Sequence, residues 1–309
     1  MIRITNLVKR YGDLLALDHL NLEIKEGEIF GLLGPNGSGK TTAINCLLAL
    51  LKYDKGTITV MGKTMSPDSY EIKKNIGVVM QNVAVFEQMT VKENIDYFCG
   101  LYVNDKKRKK QLVEEAIHFV GLEDYTKMRP KKLSGGLLRR LNIACGIVHK
   151  PKLIILDEPT VAVDPQSRNR ILNGIMELNR QGATVIYTSH YMEEVEQICS
   201  RISIIDHGRV LATGTKEELK SMIKTGETIT IEAINIDQEH LLAVKGLPHV
   251  FDVVYEEQVL KVRLSGAKHN LVRVLNYLQE QDIAFGRVFS ELPTLNDVFL
   301  EITGTELRD

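Results

Sequence analysis

Residues 28–41 read Glu28-Ile29-Phe30-Gly31-Leu32-Leu33-Gly34-Pro35-Asn36-Gly37-Ser38-Gly39-Lys40-Thr41. Glu28 to Leu33 is a short apolar run, the pattern of a buried strand. A Gly-rich turn follows, and Ala43-Ile44-Asn45-Cys46-Leu47-Leu48 predicts a helix after it. Gly34 to Thr41 fits G-x-x-x-x-G-K-[ST], which a chain of this length meets by chance roughly once in a hundred times. Glycines let the backbone curl so that its N–H groups face a phosphate, and the helix N-terminus adds positive potential. Lys40 can bridge β- and γ-phosphates, and Thr41 can offer its hydroxyl to Mg²⁺. The strand before and the helix after the motif weigh against a Gly-rich turn without a ligand.

Two more apolar runs extend the pattern. Leu153-Ile154-Ile155-Leu156 leads into Asp157-Glu158, and Ala183-Thr184-Val185-Ile186-Tyr187 is a third strand. Short apolar runs separated by helical stretches predict parallel strands in an α/β layer fold. An acid at the C-terminal end of a strand is where a P-loop enzyme holds its magnesium, so Asp157 can serve the ion and Glu158 can accept a proton from an attacking water. Roughly residues 88–150 read as an inserted helical subdomain, with Val113, Ala116, Ile117 and Val120 at helical spacing. The period then changes. Thr228–Ala233, Phe251–Tyr255 and Val259–Leu264 alternate as strands. Leu271, Val274, Leu275 and Leu278 mark one helix face, and Ile283–Phe289 predicts a further strand. This is a small α+β domain, and the expected division is 1–222 and 223–309.

Composition bounds the function. The 309 residues carry 39 Lys+Arg and 40 Asp+Glu, a formal net charge of -1, which argues against a nucleic-acid binder held mainly by charge. Residues 1–224 hold 32 basic and 26 acidic side chains, and 225–309 hold 7 and 14, a shift that supports a boundary near Thr225. Cys46, Cys99, Cys145 and Cys199 lie in no CxxC pair and read as reduced cytosolic thiols. No stretch approaches the ~18 apolar residues of a spanning helix, so membrane work would need another polypeptide. The run Lys106-Lys107-Arg108-Lys109-Lys110 reads as a solvated helix face or turn.

Further motifs accompany the P-loop: Gln81 in Val-Val-Met-Gln, Leu133-Ser134-Gly135-Gly136, Asp164 shortly after Glu158-Pro159-Thr160, His190 in Thr-Ser-His, and Tyr11. In this order across roughly residues 1–220, they resemble the ATP-binding-cassette (ABC) ATPases, the nucleotide-binding subunits of membrane transporters. The resemblance implies a RecA-like P-loop NTPase core with an inserted helical subdomain. Gly34, Asn36, Gly37, Ser38, Gly39, Lys40, Thr41 and Thr42 would hold the ATP phosphates, and Tyr11 would stack on adenine. Thr41, Gln81 and Asp157 would serve Mg²⁺, while Glu158, His190 and Gln81 would form the catalytic group. Ser134, Gly135 and Gly136 match the signature, which in the family caps ATP on the other subunit's P-loop, and Asp164 matches the D-loop. The implied partners are a second ABC ATPase chain, identical or related, and a separate transmembrane permease docked on the helical subdomain. The implied location is the cytoplasmic face of the cell membrane, with no nucleic-acid partner.

Two positions depart from the family pattern. Leu137 stands where Gln usually follows the signature, with Arg139-Arg140 after it, and Val161 stands where small residues are frequent. Pro293-Thr294-Leu295-Asn296-Asp297-Val298-Phe299-Leu300-Glu301-Ile302-Thr303-Gly304 is similar to the tail of daunorubicin-resistance-type exporter ATPases, which favours export over import. Competing readings are an importer ATPase and a soluble cassette protein acting on ribosomes or nucleic acid. The ribosomal type usually carries two cassettes per chain, whereas this sequence has one P-loop and one signature.

Overall fold

The run at Ile29–Leu33 lies inside a six-stranded sheet ordered Arg209–Gly214, Arg201–Asp206, Ile29–Leu33, Thr184–Ser189, Leu153–Asp157, Ile76–Val79. A computed structural model provides this view and describes residues 1–266 and 268–303. Pairing is parallel except at the Arg209–Gly214 edge. Ile29–Leu33, Leu153–Asp157 and Thr184–Ser189 are buried at every position. Continuous apolar runs are what parallel strands covered on both faces require. The registers Leu33↔Ser189 and Asp157↔Thr188 set the C-terminal ends of these three strands side by side. Ligands of open parallel sheets bind outside that end.

The sequence pattern did not reveal a second, antiparallel sheet, ordered Leu14–Ile24, Ile2–Tyr11, Lys55–Val60, Lys63–Thr64. Its Ile4, Leu22, Ile58 and Val60 share one core with Phe30, Leu32, Ile155 and the P-loop helix residues Ala43, Ile44 and Leu47. The helix Lys40–Leu47 is thus fixed by apolar burial on its flank.

Helices Val91–Gly100, Lys106–Val120 and Gly135–Ile147 pack on one another within the expected helical segment. Thr90 and Glu93 close a reciprocal capping box at the first. Asp105 caps the second, whose buried face is Leu112, Val113, Ala116, Ile117 and Val120. The basic run is its first turn: Lys109 pairs with Asp96 at 2.7 Å, and its four basic neighbours are exposed.

The chain divides into two compact units, the second beginning at Lys216. This lies ahead of the expected 222/223 because the short helix Lys216–Ser221 packs against the terminal helix Leu295–Thr303 and buries Leu219. In the second unit, strands Glu227–Ala233, Val250–Glu256, Val259–Leu264 and Phe285–Glu291 form a fully antiparallel sheet. Helices follow the first and third strands, giving a β-α-β-β-α-β, ferredoxin-like order. Ile229, Ile231, Leu260, Val262 and Leu264 meet Val244, Val274 and Leu278 in its core. Gly304, the end of the quoted tail, lies outside the described residues.

His149 stacks on Tyr102 with ring centroids 3.8 Å apart and its Nε2 3.2 Å from the Ile76 carbonyl. Burial pushes its pKa down to about 4, so the folded imidazole is neutral. The unfolded chain takes up the proton near pH 6.5, so stability falls as pH drops from there towards 4, by on the order of 3 kcal/mol. Urea denaturation at pH 4.5, 5.5 and 7 should show His149→Gln losing less stability on acidification than the natural protein; parallel losses would refute the assignment.

Candidate active site

The P-loop is built by backbone conformations that favour glycine. Gly37 and Gly39 have φ of 81° and 106°. A Cβ on Gly34 would stand 2.2 Å from the Ile205 carbonyl oxygen, and one on Gly39 2.8 Å from that of Ala16. Lys40 is 5% exposed and its Nζ donates to the carbonyls of Gly34 at 2.7 Å and Pro35 at 3.0 Å. Burial lowers its pKa, opposed by the Glu158 and Asp157 carboxylates. Among the described residues the buried Ser38 hydroxyl has no hydrogen-bond partner. Asn36 and Gly37 are exposed at the tip, Thr41 is exposed and Thr42 half-buried at the helix start.

The other two strand ends converge on this loop. Thr41 Oγ1 donates to Asp157 Oδ2 at 3.0 Å, and Thr188 Oγ1 donates to Asp157 Oδ1 at 2.6 Å. Glu158 adopts φ of 48°, a left-handed conformation costly for a residue with a Cβ. Its N–H is held by Thr188 through the hydroxyl at 3.0 Å and the carbonyl at 3.2 Å. The Glu158 carboxylate then meets three groups: Gln81 Nε2 at 3.3 Å, His190 Nδ1 at 3.4 Å and Lys40 Nζ at 3.9 Å. A carboxylate so placed beside a phosphate-binding loop can take a proton from water. Thr41 and Asp157 present hard oxygen donors, the chemistry that suits Mg²⁺ together with substrate phosphates.

Ser134, Gly135 and Gly136 form a separate group. Ser134 caps the helix Gly135–Ile147, its hydroxyl accepting from the Leu137 N–H at 3.3 Å. A Cβ on Gly136 would stand 2.4 Å from Ser167 Oγ and 3.0 Å from Asp164 Oδ2. Asp164 caps its own helix through the Ser167 N–H at 2.9 Å, which lowers its pKa. Among the described residues no hydrogen bond or ion pair joins this group to the P-loop. Tyr11 likewise stands apart, 47% exposed with Lys9 over its ring at 5.2 Å.

Residues 17–161 match the ABC transporter family model, and 214–303 match that of the ATP-binding protein DrrA1-3-like C-terminal domain. The chain is 40% identical over 312 residues to linearmycin resistance ATP-binding protein LnrL of Bacillus subtilis (strain 168), with 100% of each chain covered. The chain belongs to the ABC transporter family. It is also 34% identical to daunorubicin resistance ATP-binding protein DrrA3 of Streptomyces coeruleorubidus, with 99% of this chain and 97% of that one covered. Among solved structures it is similar to the dimeric, post-hydrolysis ATP-binding cassette MJ0796 bound to ADP and Pi. That match has a TM-score of 0.64 and 28% identity, over 70% of this chain and 98% of the other. The chain is therefore a nucleotide-binding ABC subunit and an ATPase.

Sequence reading missed two residues of this ABC site. Thr188, quoted only as the first residue of Thr-Ser-His and given no role there, holds both acids. Glu194, 3% exposed, accepts at Oε2 from Tyr187 at 2.6 Å, Thr160 at 2.7 Å and Ser189 at 3.1 Å. It thereby ties the segment after Glu158 to the residue before His190. An acid four positions after the histidine was the available signal, but its partners became visible only in the fold.

Gly39→Ala adds a Cβ where the chain leaves no room. The substituted loop should bind a fluorescent ATP analogue at least about tenfold more weakly with an unchanged circular dichroism spectrum. Natural affinity would show that the loop tolerates the side chain.

Proposed function

We propose that two copies of this chain, or this chain and a related one, enclose ATP between the P-loop group of one and the signature of the other, and that hydrolysis powers export through a separate permease. The single observation that carries this reading is the division of the site. Lys40, Thr41, Asp157, Glu158, Gln81 and His190 converge on one sheet end, while among the described residues no hydrogen bond or ion pair joins Ser134, Gly135 or Gly136 to them.

In this reading Gly34, Asn36, Gly37, Ser38, Gly39 and Thr42 wrap the phosphates with their N–H groups, and Lys40 leaves its carbonyl partners for the β- and γ-phosphates. Thr41 and Asp157, with Gln81, would hold Mg²⁺. When bound, the ion spreads the charge that develops on the phosphates. Glu158 accepts a proton from the attacking water, and His190 stabilises the γ-phosphate as the bond to the β-phosphate breaks. Tyr11, being exposed, is free to stack on adenine. The second chain supplies the Ser134 hydroxyl and the positive end of its helix, with Asp164 beside them. Export is favoured over import by the relatives, whose names concern resistance to linearmycin and daunorubicin and Nod factor export. Among the described residues no helix is long and apolar enough to cross a membrane, so a separate permease would supply the span; its cytoplasmic face is where ATP would be met.

Glu158→Gln should lower phosphate release by about 10²–10⁴ while ATP binding persists. In gel filtration the variant should accumulate an ATP-dependent dimer. Lys40→Ala should lose ATP binding and the dimer together. Wild-type phosphate release from Glu158→Gln would remove the base assignment. A monomer under saturating ATP would remove the two-chain site.

A further inference from the structure

Arg139 is a cation 7% exposed, and among the described residues no carboxylate pairs with it. Its Nη1 donates instead to two backbone carbonyls, Gln81 at 2.8 Å and Met80 at 3.3 Å. A buried charge is costly unless its donors are satisfied, so this position is held by what it binds. Asn142 lies on the same helix face, three residues on. It is 5% exposed, donates to the Met80 carbonyl at 3.4 Å and accepts from the Ala84 N–H at 3.1 Å. The two side chains therefore hold both ends of the segment Met80–Ala84.

The rest of the helix cannot slide. A Cβ on Gly77 would stand 2.4 Å from the Gly146 carbonyl oxygen, and one on Gly146 would stand 2.7 Å from Val79 Cγ2. The C-terminal turn thus rests directly on the strand Ile76–Val79. At its other end the helix begins with the signature, capped by Ser134. Thirteen residues make a rod of about 20 Å. Arg140 next door does something different: it donates to the Val120 and Gly121 carbonyls, closing the end of the helix Lys106–Val120.

We infer that Arg139, with Asn142, is a positioning residue that makes the signature helix and the Gln81 backbone one body, so that nucleotide held at a chain's signature sets where Gln81 meets Glu158 in that same chain. This rests on the proposed roles of Gln81 and the signature. The contact it controls is the 3.3 Å hydrogen bond from Gln81 to Glu158. Each composite site would then report its occupancy to the other through the helix between them.

A double-mutant cycle on the full-length dimer tests it. Arg139→Met should lower the kcat for ATP hydrolysis roughly tenfold, with KM changed less than about threefold, because displacing a polar group by a fraction of an ångström weakens catalysis more than binding. Gln81→Ala should also lower kcat, and Arg139→Met/Gln81→Ala should be no worse than Gln81→Ala alone. Arg139→Lys, which keeps a cationic donor, should recover part of the loss. Should Arg139→Met not fold by circular dichroism, Asn142→Ala takes its place in the cycle with the same expected pattern. Wild-type kcat in Arg139→Met, or losses that multiply in the double variant, would overturn the inference while leaving the function of Gln81 intact. Wild-type kcat in Gln81→Ala would instead remove the role proposed for Gln81, and the inference with it.

Discussion

The hydrogen bond from Thr188 to Asp157, 2.6 Å long between adjacent parallel strands, is the contact on which the site depends. It fixes one oxygen of Asp157 and leaves the other for Thr41 at the start of the P-loop helix. The same threonine grips the Glu158 N–H and holds that residue in a left-handed conformation. An isolated chain would relax such a backbone, at a gain of roughly 1–3 kcal/mol. Here the strand register and the flanking hydrogen bonds over-determine it. The carboxylate is consequently aimed at Lys40, Gln81 and His190 before any ligand arrives, which is the preorganisation that electrostatic catalysis requires.

Much of this was legible because buried parallel strands write their burial into sequence as continuous apolar runs, and the reactive residues lie at the ends of those runs. Lys40, Asp157 and Glu158 could be read for that reason, whereas His190 was named through the family resemblance. The antiparallel sheet Ile2–Tyr11 and its neighbours was not read, because half-exposed strands mix polar and apolar residues. Arg139 was noticed only as an irregularity after the signature. Its partners lie 58 and 59 residues earlier, and they are carbonyl oxygens, which every residue possesses and no sequence pattern marks. Glu194 was opaque for a similar reason: three hydroxyls from two strand and loop segments converge on one carboxylate only after the sheet has assembled. The domain boundary was placed late because Lys216–Ser221 is too short to announce its packing partner at the far end of the second unit.

In the proposed dimer, charge would favour closing the P-loop group with the signature of a second chain. Within one chain the cluster sets a single buried cation, Lys40, against two carboxylates, Asp157 and Glu158. A triphosphate would add further negative charge, of which a Mg²⁺ held by Thr41 and Asp157 would offset only part, and in a low-dielectric setting the remaining repulsion is large. In the proposed dimer the signature helix would add positive potential. Its N-terminal N–H groups are positive, Leu133-Ser134-Gly135-Gly136 contains no acid, and its first turn contains none either. Placed against a second chain's γ-phosphate, that terminus would favour a closed dimer only while the phosphate is in place. Hydrolysis releases the terminal phosphate, and with it the charge that the two halves share. In the proposed dimer, dividing the site between chains would turn a chemical step into a change in the attraction between subunits, and the helix from the signature to Gln81 is the element through which that change would reach the other site.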